Sequence, residues 1–304
     1  MSDADVSIVI VLYNCQEWIS RCLDSLPAAL GERSAEIILV DNASTDASAE
    51  IVQAQYPQLT LLRNTRNVGF AAAVNQGVAA SGAPWVLLLN PDTEAQPQAL
   101  DRLLRFAESV PGHGIYGGRT LRSDLTAEPS SCWALPTLWS TATFAFGLST
   151  AFPRSRFFDP ESMGDWARDS VREVGMVTGC LLLTPRPVWE ELNGLDERFF
   201  VYGEDADFAA RARRRGYRPI ITPDAAVIHE IGISSADGGS KTTLLLAGKI
   251  TYARAHLPAF LAVNLLRLGV ALRALGARAT GRGKKWRVAW SRRELWWDGF
   301  PDQR

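Results

Sequence analysis

Four apolar runs, Val6 to Leu12, Glu36 to Val40, Leu59 to Arg63 and Trp85 to Leu89, alternate with stretches whose apolar residues recur at helical spacing. Such β-α alternation builds a mostly parallel sheet with right-handed crossovers and helices packed on its faces. Val-Ser-Ile-Val-Ile-Val-Leu at the start is a β-branched central strand, and Trp85 to Leu89, with no polar member, reads as an interior parallel strand buried on both faces. Trp18, Ile19, Cys22, Leu23 and Leu26 mark a helix over Gln16 to Leu30, and small residues form another over Ala71 to Ala80. The 304 residues suffice for one large α/β domain or two modest ones.

Every run ends on polar residues, and open α/β sheets bind ligands in the crevice beyond the strand ends. Tyr13 and Asn14 follow the first strand, and Asp41-Asn42-Ala43-Ser44-Thr45-Asp46 the second, with Ser44 or Thr45 expected to cap the next helix. Asn64 to Phe70 follows the third, and Asn90-Pro91-Asp92-Thr93 the fourth, where Pro91 stops the strand and delivers the Asp92 carboxylate. No GxGxxG follows the first strand and no GxxxxGK[ST] occurs, so dinucleotide and P-loop readings lose their support.

Farther along, a helix over Pro97 to Val110 precedes an expected edge strand at Ile115 to Gly118. Residues 120–171 are aromatic-rich and weakly periodic, either a lid or binding insertion or a cover over the sheet edge. Val174 to Leu183 reads as one strand broken at Gly179, where backbone or ligand approaches closely. Glu204, Asp205 and Asp207 open a helix that ends in arginines, and the helix dipole explains one or two of these acids but not three. Ile220-Ile221 and Val227-Ile228 flank a Pro-Asp turn, and His229 ends the last strand. One carboxylate and one imidazole, Asp92 and His229, suit magnesium or manganese if phosphate oxygens complete the set. Such a cation offsets charge on a departing diphosphate while Asp205 takes the proton of an attacking hydroxyl. The implied reaction is displacement of a nucleoside diphosphate by an alcohol.

These segments, in order, resemble the motifs of family-two inverting glycosyltransferases: Val6 to Asn14, Val40 to Asp46, Arg63 to Asn75, Asn90-Pro91-Asp92, Gly194 to Phe200, Glu204-Asp205 and His229. Within that family the chain is most similar to the bacterial rhamnosyltransferase-like branch, over roughly Val6 to Ser235. The resemblance implies a GT-A fold, a dTDP- or UDP-sugar donor, a divalent metal (Mn2+ or Mg2+) and a polyprenyl-diphosphate-linked glycan acceptor. By position, Asp41 would read the base with Asn42 and Ser44 nearby, Arg66, Asn67 and Gly69 would line the nucleotide pocket, and Tyr13, Asn14, Asn75, Asn90 and Gly179 would complete the donor site. Asp92 would bind metal, His229 metal or diphosphate, Glu204 donor or acceptor, and Asp205 would be the base. Asn90 replaces the first acid of the family's Asp-x-Asp, and an amide is a weaker cation ligand.

The net charge of −1 conceals an asymmetry. Met1 to Asp237 carries 30 acids and 19 arginines, whereas Gly238 to Arg293 carries 12 basic residues and no acid. Arg282 to Arg293 interleaves these bases with Trp286 and Trp290, and Trp296 and Trp297 follow, the composition of a helix in the headgroup layer of an anionic leaflet. A helix pair packed on the catalytic domain or in a homodimer is the alternative, and nucleic acid is disfavoured. No uninterrupted apolar run reaches the ~20 residues that span a bilayer; the nearest lies between Arg254 and Arg267. Four cysteines without CxxC spacing imply neither zinc nor disulfides, and the acidic start lacks a signal peptide's pattern. The expectation is a catalytic domain over 1–240, divided into a donor half (1–118) and an acceptor half (119–240), with a tail over 241–304 on the cytoplasmic face of the membrane. A silent nucleotide-sugar scaffold, a galactofuranose transferase and a nucleotidyltransferase are the competing readings.

Overall fold

The computed structural model describes residues 3–229 and 238–301, so the end of the matched run, 230–235, lies outside the described residues. The first half is β1 (Val6–Leu12), α1 (Ile19–Leu30), β2 (Ala35–Asp41), α2 (Ser48–Gln55), β3 (Thr60–Arg63), α3 (Phe70–Ala79) and β4 (Trp85–Leu89). Next come β5 (Thr93–Ala95), α4 (Ala99–Ser109), β6 (Tyr116–Leu121), β7 (Ala127–Glu128), β8 (Cys132–Trp133), α5 (Leu138–Ala145) and α6 (Leu148–Ala151). They are followed by β9 (Arg172–Glu173), β10 (Met176–Val177), β11 (Leu181–Pro185), α7 (Arg186–Glu191), α8 (Glu204–Arg214) and β12 (Ile220–His229). The chain closes with α9 (Gly238–His256), α10 (Ala259–Thr280) and α11 (Lys284–Ser291).

The main sheet runs β3-β2-β1-β4-β11-β6-β12-β5. Alternate residues of β1 feed two cores: Ile8 and Ile10 meet Leu26 of α1 and Leu103 of α4, while Val9 and Val11 meet Val74 of α3 and Phe208 of α8. A two-residue period thus buries the strand on both faces. The small residues of α3 let it lie close, since a Cβ on Gly77 would sit 2.5 Å from Val9 Cγ1.

Several sequence expectations are corrected by pairings between segments distant in the chain. β4 is parallel to β1 but antiparallel to β11 on its other side. β6, expected at an edge, is interior, between β11 and β12. The run from Val174 to Leu183 splits at Gly179 into strands of two different sheets, because β10 pairs with β8 while β11 enters the main sheet. The Pro-Asp turn is instead an irregularity between Ile221 and Ala226 within one strand, β12. α2 starts at Ser48, later than Ser44 or Thr45 would cap it, and the Asp46 carboxylate accepts the Ser48 N–H at 3.0 Å.

The tail helices build their own core, and here too the sequence reading is corrected. Trp296 is fully buried and donates its indole N–H to the Ala289 carbonyl at 2.7 Å, and Trp286, Trp290 and Trp297 pack partly buried around it. The tryptophans are therefore packing residues. Most of the tail's exposed apolar groups lie on α10, with Phe260, Leu261, Leu268, Leu272 and Leu275 outward and Ala262, Leu266, Val270 and Ala274 inward. α10 passes Arg267 and Arg273 without a break, and its 22 residues are long and apolar enough to cross a membrane by length and composition, with 33% of the most apolar window buried. Arg273 does not interrupt that packing, because its guanidinium stacks over Phe144 of α5 at 4.0 Å.

Candidate functional site

Parallel pairing sets the carboxyl ends of β1, β2, β3 and β4 on one sheet edge. The edge also receives the start of β11 and the ends of β6 and β12, as Leu181 pairs with Leu89, and β12 runs parallel to β6. The strand order reverses direction at β1, next to β4, the kind of switch point where such sheets open a ligand crevice.

On the β1–β3 side, Asp41 is 2% exposed; its Oδ1 accepts the Ser44 N–H at 3.1 Å and its Oδ2 lies 3.7 Å from Arg63 Nε. Asn14, with φ 53°, accepts the Thr45 N–H at 2.8 Å while its own N–H reaches Ser44 Oγ at 3.2 Å. Tyr13 and Arg66 are exposed beside these loops. Asn42 is a buried hub: its amide nitrogen donates to Asn67 Oδ1 at 2.9 Å and the Gly69 carbonyl at 3.2 Å, and its oxygen accepts the Val68 N–H at 3.0 Å. Asn42 and Asn67 thus shape the loop that carries Arg66, with their amides largely engaged by the protein.

Gly69 has φ +90°, and a Cβ there would lie 2.7 Å from the Phe200 carbonyl, which accepts the Phe70 N–H at 2.6 Å. Only glycine tolerates that conformation and that approach together. The contact holds the segment before α8 against the β3–α3 loop. The Asn75 side chain is engaged by the protein: its amide protons go to the Leu195 carbonyl (2.9 Å) and Glu197 Oε1 (3.0 Å), and its oxygen accepts the Leu195 N–H (3.0 Å). It clasps the 194–197 turn.

At the start of α8, Glu204 is buried and Asp205 half-buried, and the buried atoms Asp205 Oδ1 and Glu204 Oε2 have no hydrogen-bond partner among the described residues. Burial raises the Asp205 carboxyl to about 6, opposed by the Gly179 backbone N–H. A Cβ on Gly179 would stand 3.3 Å from Asp205 Oδ1, so this glycine keeps the carboxylate open. Glu204 is pushed well above the usual carboxylate range by burial and then by the Asp205 charge. The third acid, Asp207, has a structural partner set: Arg211 Nε and His256 Nε2 each lie 2.7 Å from it.

Across the edge, β5 pairs with β12 in the register Thr93–His229 and so brings Asp92 beside His229, with Oδ1 and Nε2 3.4 Å apart. Adjacent ligands of an octahedral magnesium-sized ion are about 3 Å apart, so this pair fits one cation. Among the described residues no cluster of three His, Cys, Asp or Glu side chains forms. Asn90 is half-buried beside it, its carbonyl accepting the Thr93 hydroxyl at 2.7 Å. The Cys180 thiol, buried between the two sides, is raised to about 12 by burial and, secondarily, by the charges of Asp205, Asp92 and Glu128. The buried carboxylate of α8 and the Asp92–His229 pair thus share one small region.

The acidic pair of α8 and the Asp92–His229 pair, set at the switch-point edge of this α/β sheet, suit a glycosyltransferase. The pattern of Glycosyl transferase family 2 matches residues 7–158, and the chain belongs to that family. It is 31% identical over 233 residues to the N-acetylglucosaminyl-diphospho-decaprenol L-rhamnosyltransferase of Mycobacterium tuberculosis, covering 73% of this chain and 75% of that one. It is 26% identical to the low-salt glycan biosynthesis hexosyltransferase Agl10 of Haloferax volcanii, over 69% and 62% of the two chains. Among solved structures, the mannosyltransferase PcManGT of Pyrobaculum calidifontis, in complex with GDP-Man and Mn2+, superposes with TM-score 0.57 at 18% identity over 97% of this chain and 81% of that one. GalNAc-T7 with UDP, GalNAc and Mn2+ gives TM-score 0.56 at 14% identity over 83% and 50%. These likenesses establish the GT-A fold.

Proposed function

We propose that the protein is an inverting rhamnosyltransferase that moves L-rhamnose from dTDP-L-rhamnose to a hydroxyl of a polyprenyl-diphosphate-linked cell-envelope glycan. The observation that carries the mechanism is the Asp205 carboxylate beside Gly179, whose buried Oδ1 has no hydrogen-bond partner among the described residues. A carboxylate near 6 is ionised at neutral pH yet basic enough to accept a proton as the bond forms. In this reading the acceptor hydroxyl attacks the anomeric carbon from the face opposite the diphosphate. The new C–O bond forms as the bond to the diphosphate oxygen breaks, the hydroxyl proton passes to Asp205, and dTDP leaves. Asp92 and His229 would hold a divalent cation, whose charge, when bound, offsets that of the diphosphate. Asp41, Ser44, Tyr13, Asn14 and Arg66 would surround the nucleotide, and Glu204 would contact donor or acceptor.

The donor half would be 1–118 and the acceptor half 119–240, with the exposed face of α10 and the bases of Arg282 to Arg293 resting on the inner face of the cytoplasmic membrane, where a lipid-linked acceptor lies. The named activity of the mycobacterial relative supports the donor and the acceptor class. Thermal melting with dTDP-, UDP- and GDP-sugars, with and without Mn2+, tests the donor. Ligand at a hundred times its Kd adds about 2.7 kcal/mol of stability. The largest shift is expected for dTDP-L-rhamnose with Mn2+; a larger shift with UDP-galactofuranose would replace rhamnose, and no shift with any nucleotide sugar would reject a donor site.

A further inference from the structure

The proposed mechanism leaves unused a buried carboxylate, Glu128, that sits behind His229. Glu128 is 6% exposed and lies at the end of β7, paired with Thr120 of β6. Its Oε2 accepts the Ser130 N–H at 2.8 Å and, in a very short contact, the Ser130 hydroxyl, and it lies 3.0 Å from the Thr120 hydroxyl, which is also 2.7 Å from the Glu128 carbonyl. Ser130 Oγ in turn lies 3.4 Å from His229 Nδ1. A serine hydroxyl has one proton, and here that proton is committed to Glu128. Toward His229, Ser130 therefore presents only lone pairs, and the contact is a hydrogen bond only when Nδ1 carries the proton. In the neutral ring that tautomer leaves the lone pair on Nε2, which lies 3.4 Å from Asp92 Oδ1.

We propose that Glu128 and Ser130 are positioning residues that fix the ring orientation and tautomer of His229, so that Nε2 is presented as a ligand to a divalent cation. The inference rests on the reading of His229 given above and deepens it. A carboxylate–hydroxyl–imidazole series raises the basicity of the ligating nitrogen, and such outer partners are usually worth ten- to a hundredfold in metal affinity. The same turn reaches the other wall of the crevice. The Ser130 carbonyl accepts the Thr178 hydroxyl at 2.9 Å and the Ser131 carbonyl accepts the Thr178 N–H at 3.0 Å, next to Gly179 and thus to Asp205. One short segment, 128–131, therefore sets the imidazole on one side and the neighbour of the carboxylate on the other.

The test is titration of Mn2+ into the full-length protein with saturating dTDP, the free ion read by its paramagnetic resonance signal, in wild type, S130A, S130T, E128Q and H229A. S130A is expected to raise the Mn2+ Kd roughly ten- to a hundredfold, and S130T to restore it to within a few-fold of wild type. E128Q keeps the side-chain volume, so it serves if S130A fails to fold, and it is expected to weaken Mn2+ in the same direction. Thermal melts check that each variant is folded. An unchanged Kd in folded S130A or E128Q, with H229A weakened, overturns the positioning role alone. An unchanged Kd in H229A, or no saturable Mn2+ binding by wild type, overturns the assignment of His229 itself.

Discussion

Replacing Asp205 with Asn should abolish most turnover while making the fold more stable at neutral pH. Burial holds the Asp205 carboxyl at about 6 against an ordinary 3.8, about two pH units, and each unit is worth about 1.4 kcal/mol. Because the folded pKa is raised, the fold is uncharged at this position below about 4, where no penalty exists. The penalty grows as pH climbs from about 4 to about 6 and is then constant at up to about 3 kcal/mol. Asn removes the charge but buries an amide whose N–H groups lack partners, which costs about 1–3 kcal/mol in return. The net gain at pH 7.5 is therefore about 0–2 kcal/mol, a rise of up to a few degrees in Tm, and it should shrink toward zero or reverse as pH falls toward 4. Loss of a general base typically costs 10²–10⁴ in rate. In wild type, kcat/KM should fall about tenfold per pH unit below an apparent pKa of about 6. The assays are nucleotide release with donor and acceptor, and melting of both proteins across pH. Unchanged turnover, or D205N less stable than wild type at pH 7.5, would refute the reasoning.

Two further outcomes concern the tail. H256A leaves Asp207, 1% exposed, with Arg211 alone, so urea unfolding should show a loss of about 2–3 kcal/mol, below the 3–5 of a fully orphaned buried ion. A loss no larger than that of an exposed substitution would mean the pair does not hold α9 to α8. Introducing glutamates at Leu268 and Leu272, 41% and 46% exposed on the outer face of α10, should reduce co-flotation with phosphatidylglycerol vesicles by at least about tenfold without changing dTDP affinity. Equal flotation would place the membrane contact elsewhere.

Deleting everything after Lys241, the direct way to ask what the tail does, would disturb the site as well. A Cβ on Gly248 of α9 would lie 2.0 Å from the Tyr202 carbonyl, so this helix packs directly on the residues that lead into Glu204 and Asp205. The break in composition near residue 240 marks a change of surface charge, and the packing runs across it.

The sheet and its polar edge were readable because they depend on local pattern. Val6 to Leu12 and Trp85 to Leu89 fall within the observed β1 and β4, and the residues after each strand meet at one edge because parallel strands all end on the same side. What the sequence hid was pairing between distant segments. Ile115 to Gly118 has the composition of an edge strand, and only its insertion between β11 and β12 makes it interior.

The same limit explains the polar residues. Asp207 stands two positions from Asp205 on one helix and has the same side chain, yet its partner His256 lies 49 residues away, in the tail. Asn75 matches a family motif, but its amide is taken by Leu195, 120 residues on. Conversely, Glu128 and Ser130 carried no signal in a weakly periodic stretch, and only the arrival of His229, 99 residues from Ser130, gives them a role. An acidic or amide side chain is available for chemistry to the extent that the fold leaves it unpaired. By that criterion Asp205, whose buried Oδ1 is unsatisfied among the described residues, stands apart from Asp207, whose charge is already balanced by Arg211 and whose other oxygen meets His256.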